Sequence, residues 1–315
     1  MKILDCSYLS PEDSAQHMIV IFGVGLVGKA IFSSLKLPPK ACIFQLPMAW
    51  MDGSKFKTQL SEVFSFLLSC LASSSVERRR ISVVWSAGKA GFNATTEVCL
   101  SERAHLTSCI KMMASLRCMA SAEYKFYFLS SAGGLYEGLR NVSNRTLPRP
   151  LRPYGQLKLE QEQEISELRQ TISINIYRPS TVYGNIKGGR LGLISTLINN
   201  GLVGRTTSIF GSAATLRDFV SAEDVGRAVA RDILADTVAC SGKVRFIVSG
   251  KPTSIFEVVK LTENILGKKL YVHYETRYSN ALDNTYSSEL RPAGFCPMSL
   301  REGMLSILQN HKSAC

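Results

Sequence analysis

The stretch "MIVIFGVGLVG", Met18 to Gly28, decides the fold. Five apolar residues run into a glycine, three glycines fall as GxGxxG, and a helical pattern follows near 26–36. A buried strand that turns tightly into a helix needs these residue types. Gly23 permits the turn, Gly25 lets the backbone approach a pyrophosphate, and Gly28 lets the helix pack closely on the strand. Leu26, Val27 and Gly28 then offer N–H groups at a helix N-terminus, where the dipole favours an anionic phosphate. Gly23, Gly25, Leu26, Val27 and Gly28 therefore read as a dinucleotide-binding turn.

Working outward, short apolar runs alternate with longer helical patterns. The runs are "MIVIF" (18–22), "ACIFQL" (41–46), "ISVVWS" (81–86), "KFYFLS" (125–130) and "SINIYR" (173–178), with helical patterns near 26–36, 55–74, 94–119 and 154–170. Continuous apolar strands separated by helices predict a parallel sheet covered on both faces. Short right-handed connections make it doubly wound, an α/β Rossmann fold over residues 1–178. After Pro179 the elements shorten and mix: helices near 190–200, 223–235 and 253–266 and a strand near 244–249. Residues 179–315 read as a smaller α/β domain packed on the strand ends, with some elements returning to the Rossmann core.

The second half of the dinucleotide fingerprint is missing. An acid that holds the ribose 2′-hydroxyl is expected about 20 residues on, at the end of strand two. No Asp or Glu lies between Gly28 and Met51; Asp52 is the first. No Arg or Lys stands at that strand end to take a 2′-phosphate, so this stretch leaves NAD and NADP both open.

Composition narrows the partners. With 45% hydrophobic residues among 315, the chain can bury a core. The net charge of +12 comes from dispersed residues, apart from Arg78–Arg79–Arg80 and the Arg145, Arg149, Arg152 group. No nucleic-acid-binding module accompanies them, so the charge points to a small anionic ligand rather than nucleic acid. Nine cysteines stand singly without a CxxC pair, which predicts no metal site and a reducing compartment. The best apolar run has 11 residues, against the roughly 20 that span a bilayer. The expected protein is cytoplasmic, with no membrane insertion. The four histidines lie far apart and read as core or surface residues.

Chemistry enters at "PYGQLK", Pro153 to Lys158. Tyr154 and Lys158 are four apart, hence on one helix face. An ammonium beside a phenol favours the phenolate, and a tyrosine so tuned serves as a base near neutral pH. Upstream, "KFYFLS" ends in Ser130 and Ser131, just past a parallel strand, where a substrate-binding hydroxyl belongs.

Six segments in order, "GVGLVG", "VVWSAGKAGF" (83–92), "YFLSSAGGLYEG" (127–138), "PYGQLK", "INIYRPSTVYG" (174–184) and "LRDFVSAEDV" (216–225), resemble the extended short-chain dehydrogenase/reductases, the NAD-dependent epimerase/dehydratase family of nucleotide-sugar enzymes. The resemblance implies a catalytic Tyr154, with Lys158 as its partner and ribose ligand. It implies Ser131 as the triad hydroxyl and a substrate contact, with Ser130 as runner-up. Ala87, Gly88, Tyr177, Arg178 and Pro179 would line the cofactor, NAD or NADP. Arg217 would meet the sugar-nucleotide diphosphate, while Asp218 and Asp224 would pair locally and cap the following helix. It also implies a C-terminal substrate-binding domain, a nucleotide-sugar substrate and a homodimer. Three departures stand out: Phe22 at the first glycine of GxxGxxG, Ala132 where the triad hydroxyl usually falls, and "YEG" for "YG" at Tyr136. The family's sugar dehydratases carry an Asp–Glu pair where this chain has Ala132, Gly133 and Gly134, which disfavours water elimination. An epimerase and a 4-keto-sugar reductase need the same triad and both stay open, as does a non-catalytic dinucleotide sensor.

Overall fold

The computed structural model describes residues 1–5, 15–37, 41–73, 78–184, 191–235, 243–275 and 281–312. Its first strand, β1 (Lys2–Asp5), is one that no sequence pattern announces. β2 (Ala15–Phe22) leads through the glycine turn into α1 (Leu26–Ser34). There follow β3 (Cys42–Gln45), α2 (Gly53–Ser73), β4 (Arg78–Trp85), α3 (Thr96–Met119) and β5 (Glu123–Leu129). A single turn, α4 (Ala132–Leu135), α5 (Pro153–Ser166) and β6 (Ser173–Pro179) complete this half.

The C-terminal half comprises β7 (Thr181–Tyr183), α6 (Leu193–Val203), β8 (Thr207–Phe210), β9 (Leu216–Arg217), β10 (Phe219–Ser221), α7 (Ala222–Leu234), β11 (Val244–Ile247), β12 (Thr253–Ser254), α8 (Ile255–Leu266), β13 (Val272–Glu275) and α9 (Leu300–Lys312). Of these, β11 joins the main sheet beside β6, and the strand order is β11-β6-β5-β4-β2-β1-β3. The strands β4, β5, β6 and β11 run parallel to β2, as the Rossmann reading expects.

One strand departs from the parallel run. The sheet is not wholly parallel, because β1 lies antiparallel between β2 and β3, pairing Lys2 with both Ile21 and Gln45. The reason is burial. Ile3 and Leu4 point to opposite faces, and each is fully buried in one of the two cores that flank the sheet. Ile3 joins Phe22, Trp85, Phe56 and Leu106 under α2 and α3. Leu4 joins Ile21, Ile31 and Val229 under α1 and α7. Four residues with one buried side chain per face carry no readable period, so the strand is invisible in the sequence.

α7 crosses α1 at close range: a Cβ on Gly226 would fall 2.5 Å from the Ala30 backbone. A third core, built on Leu197, Ile198, Val258 and Met304, ties α6, α8 and α9 together.

Asp218 and Asp224 differ from expectation. Ser221, not Asp224, caps α7; Asp224 donates its N–H to the Ser221 hydroxyl (2.9 Å) and accepts that hydroxyl's proton (2.8 Å). Asp218 is wholly buried and pairs at long range, accepting from Ser180 Oγ (2.5 Å), Ser249 N–H (2.9 Å), Ser249 Oγ (2.9 Å) and Gly250 N–H (2.7 Å). It thereby clamps the residues after β6 to those after β11. Asp218→Ala strands several buried donors, and a urea titration should show a loss of about 3–5 kcal/mol. A loss below about 1 kcal/mol would mean that water or a neighbour replaces the clamp.

Candidate active site

The two turns expected to line a dinucleotide do meet. Gly23 adopts φ +84°, and a Cβ there would fall 2.3 Å from Ala87 Cα. The Ser86 hydroxyl donates to the carbonyls of Phe22 (3.1 Å) and Gly23 (2.7 Å), which locks the β2 turn to the β4 turn. A Cβ on Gly28 would reach 1.9 Å from Gly23 O, so α1 packs against its own turn. Gly25 is different: it is the N-cap of α1, no side chain caps the helix, and nothing lies within 4 Å of where its Cβ would be. Uncapped N–H groups therefore face open space, and the residues present fit a pyrophosphate.

Tyr154 and Lys158 stand one turn apart on α5, which begins at Pro153, a residue suited to the first helical position. Lys158 is not a solvated helix lysine. It is 5% exposed, and its Nζ donates to Glu102 Oε1 (3.1 Å) and Gln161 Oε1 (3.1 Å), 5.9 Å from the Tyr154 ring centroid. Burial pulls its pKa down, but the Glu102 carboxylate, with help from Tyr154 and Glu162, outweighs that and holds it above the ordinary value. The side chain is a buried ammonium.

Glu102 is a site residue that the sequence reading missed. Its second oxygen accepts the Ala90 N–H (3.1 Å), and a Cβ on Gly88 would fall 2.6 Å from Oε1. One carboxylate on α3 thus anchors both the Ala87–Ala90 turn and Lys158. A signal was present: Glu102 falls on the helical stripe Cys99, His105, Leu106, Cys109 that α3 buries, and a lone carboxylate on an apolar stripe needs a partner. His105, one turn on, packs against Phe56 (centroids 4.3 Å) and Trp50 (5.8 Å). Burial lowers its pKa, against the opposing pull of Glu102.

The two candidate hydroxyls face different neighbours. Ser130 donates to Glu162 Oε1 (2.5 Å), and Glu162 is gripped by Arg178 at 2.9 and 2.5 Å. Arg178 also donates to Tyr136 OH (2.6 Å). Ser131 caps α4, accepting the Gly134 N–H (3.1 Å), a bond that leaves its own proton for another acceptor. A Cβ on Gly133 would lie 3.7 Å from Ser131 Oγ and 3.6 Å from Phe92, whose ring meets Tyr154 edge-on at 6.0 Å. A Cβ on Gly134 would lie 3.0 Å from the Tyr154 ring. Gly134 is what lets the Tyr154 ring pack on α4, whereas a Cβ on Gly133 would make only ordinary contact with Ser131 and Phe92.

The other candidates are more dispersed. Tyr177 is fully buried on the α7 side and donates to Asp232 (2.8 Å). Pro179 ends β6 at the same sheet edge as the glycine turn. Arg217 donates to the carbonyls of Leu216 (3.2 Å) and Leu282. Burial lowers its pKa, while Glu137 and Asp283 act in the opposite sense. Glu137, the extra residue of "YEG", is buried in a two-pronged pair with Arg152 (3.0 and 2.7 Å). Arg152 in turn donates to Phe92 O (3.2 Å) and lies over that ring. A charged row, Arg217–Glu137–Arg152, therefore leads up to Phe92 and Tyr154. Among the described residues, no three His, Cys, Asp or Glu side chains gather as a metal site, and no helix is long and apolar enough to cross a membrane.

A doubly wound sheet with an open glycine turn after β2, and a helix that carries a tyrosine and a buried lysine one turn apart, is the organisation of the extended short-chain dehydrogenase/reductases. The chain belongs to the NAD dependent epimerase/dehydratase family, which matches residues 75–238. It is 28% identical over 177 residues to an uncharacterized UDP-glucose epimerase, YtcB, of Bacillus subtilis, an alignment covering 54% of each chain. The chain thus spans about half the length of the curated relative it matches. Its fold is similar to that of UDP-glucose 4-epimerase from Thermotoga maritima, solved with UDP-glucose (TM-score 0.74, 18% identity, 94% and 98% of the two chains). It is similar too to UDP-glucuronic acid 4-epimerase from Bacillus cereus, solved with UDP-glucuronic acid and NAD (TM-score 0.68, 20% identity, 94% and 99%).

Proposed function

We propose that this protein moves a hydride on the sugar ring of a nucleotide-activated sugar, as a nicotinamide-dependent epimerase with Ser131, Tyr154 and Lys158 as its triad. The observation that carries the reading is the buried, charged Lys158 beneath Tyr154, held by Glu102. A lysine kept ionised out of water by a carboxylate puts a fixed positive charge beside the Tyr154 ring, where it favours the phenolate that proton transfer needs.

Gly23, Gly25, Leu26, Val27 and Gly28 would hold the pyrophosphate, and Ala87 and Gly88 would line the cofactor. Bound there, the nicotinamide supplies the hydride acceptor and donor. Tyr154 takes the proton of the sugar hydroxyl at its phenolic oxygen and returns it when the alkoxide re-forms. The Lys158 ammonium stabilises negative charge developing on that oxygen. Ser131, its proton not used in capping α4, orients the reacting sugar oxygen. Arg217 would meet the diphosphate, and Arg152 and Glu137 close the side of Phe92. We assign residues 179–315 mainly to the sugar nucleotide, with α7 and β11 completing the Rossmann core.

The test is to incubate the purified protein with UDP-glucose and UDP-glucuronic acid, with each nicotinamide cofactor, and to analyse the sugar products. Epimer formed without net cofactor consumption supports the reading. Product formed with one cofactor consumed per sugar reassigns the chain as a reductase. Dinucleotide binding without any sugar conversion across a wider nucleotide-sugar panel replaces the enzyme with a sensor.

A further inference from the structure

The far edge of the sheet carries a cavity that the mechanism does not use. β11 is the outermost strand there, four strands along the sheet from β2. At about 4.8 Å per strand, it stands roughly 19 Å from the strand that feeds the glycine turn. A cavity of about 830 Å³ opens beside β11, walled by the end of α7 and by residues of segments 144–148 and 289–293. None of Gly23, Gly25, Ser131, Tyr154, Lys158 and Arg217 lines it, so it is separate from the triad and the glycine turn.

Its wall is cationic at one place and apolar at another. Arg178, Arg231, Lys243 and Arg245 line it, against the two carboxylates of Asp232 and Glu289. Arg178 is answered from elsewhere, by Glu162 at 2.9 and 2.5 Å. Asp232 has to serve the other two guanidiniums. It pairs with Arg245, stands 3.7 Å from Arg231 Nε and also accepts the Tyr177 hydroxyl (2.8 Å). The Lys243 side chain is exposed and has no partner among the described residues. Three cations thus stand against Asp232 and an exposed Glu289, one positive charge in excess. The apolar part of the wall is Pro148, Leu290, Pro292 and Leu147, which is 82% exposed. A bare ion would use the cations and leave the apolar wall and most of the volume to water.

We propose that this cavity binds a second ligand, a small organic anion. Its charged group lies at Arg231, Lys243 and Arg245, and its apolar part lies against Leu147, Pro148 and Leu290. A concave surface with excess charge of one sign draws the opposite charge, and guanidiniums suit the oxygens of a phosphate or carboxylate. The volume falls within the roughly 300–1,000 Å³ of sites that take small organic ligands on apolar walls with a few polar groups. The proposal does not depend on the reading of the triad or of the glycine turn.

Calorimetric titration of the intact protein with 1-naphthyl phosphate, an anion with an apolar ring, tests it. Inorganic phosphate and 1-naphthol carry one half of that chemistry each. Wild type is expected to bind 1-naphthyl phosphate at least about tenfold more tightly than either half, as one charge-assisted contact allows. The affinity should fall with rising salt. Lys243→Glu and Leu147→Ser both change exposed side chains, which spares the fold. Lys243→Glu should weaken binding at least about tenfold, and Leu147→Ser about threefold through lost apolar contact. No binding, or equal binding of either half alone, overturns the proposal. Affinity unchanged in Lys243→Glu, or abolished by saturating NADH, puts the anion elsewhere and overturns it too. Affinity unchanged in Leu147→Ser overturns the place given to the apolar part.

Discussion

Tyr154→Phe is expected to lower turnover by about 10²–10⁴-fold while leaving nucleotide-sugar and dinucleotide affinities within a factor of a few. The substitution removes only the phenolic oxygen. The ring contacts that place the side chain, edge-on to Phe92 and against Gly134, involve carbon atoms and survive the change. A fall in turnover with unchanged binding is the mark of an interaction made in the transition state. Single-turnover kinetics on the variant, beside calorimetric binding of the sugar nucleotide, measures both halves. If Tyr154→Phe retains more than about a tenth of wild-type turnover, Tyr154 is not the proton carrier and the triad assignment falls.

Removing the carboxylate of Glu102 should be the most damaging conservative change in the site. Glu102→Gln leaves the Lys158 ammonium buried without its counter-ion, and breaking a buried pair on one side costs about 3–5 kcal/mol. Its pH signature is specific. In the wild type, the folded-state pKa of Lys158 lies above its ordinary 10.5. Its contribution to stability is therefore fully present below 10.5 and lost as pH rises through the folded value. In Glu102→Gln the largest opposition to burial is gone, and burial, resisted only by Tyr154 and Glu162, is expected to bring the folded-state pKa below 10.5. The folded variant then binds fewer protons than the unfolded chain, so its stability should climb as pH rises toward 10.5, where the wild type is flat. Urea titrations at a series of pH values separate the two. A double variant, Glu102→Leu with Lys158→Met, should recover most of the lost stability without recovering activity, because an apolar pair satisfies the cavity but carries no charge. A Glu102→Gln protein as stable as wild type, with the same pH dependence, would show that Lys158 does not depend on Glu102.

These two residues mark the limit of what the sequence shows. Tyr154 and Lys158 are visible because a spacing of four is a local property of one helix. Glu102 is 56 residues from Lys158, and nothing in the spacing of either names the other. Their partnership exists only because α3 and α5 pack face to face. The same holds for Ser130 and Ser131. They are neighbours in the chain and chemically identical, yet one is drawn into Glu162 and Arg178 and the other caps α4 beside Phe92. Glu137 looks like an insertion in a familiar motif until Arg152 is found across from it.

By itself, the sequence determined the alternation of buried strands and helices, the glycine turn at Gly23–Gly28 and the tyrosine–lysine pair. Each is written in residues a few positions apart, where backbone sterics, period and helix geometry act directly. Tertiary structure alone decided that a four-residue strand from the N-terminal end would enter the sheet between β2 and β3, because Ile3 and Leu4 have two separate cores to fill. It alone decided which carboxylate would keep Lys158 charged. Those choices depend on charges and side-chain faces brought together across the fold, and a buried charge finds its partner only where packing has excluded the water that would otherwise serve.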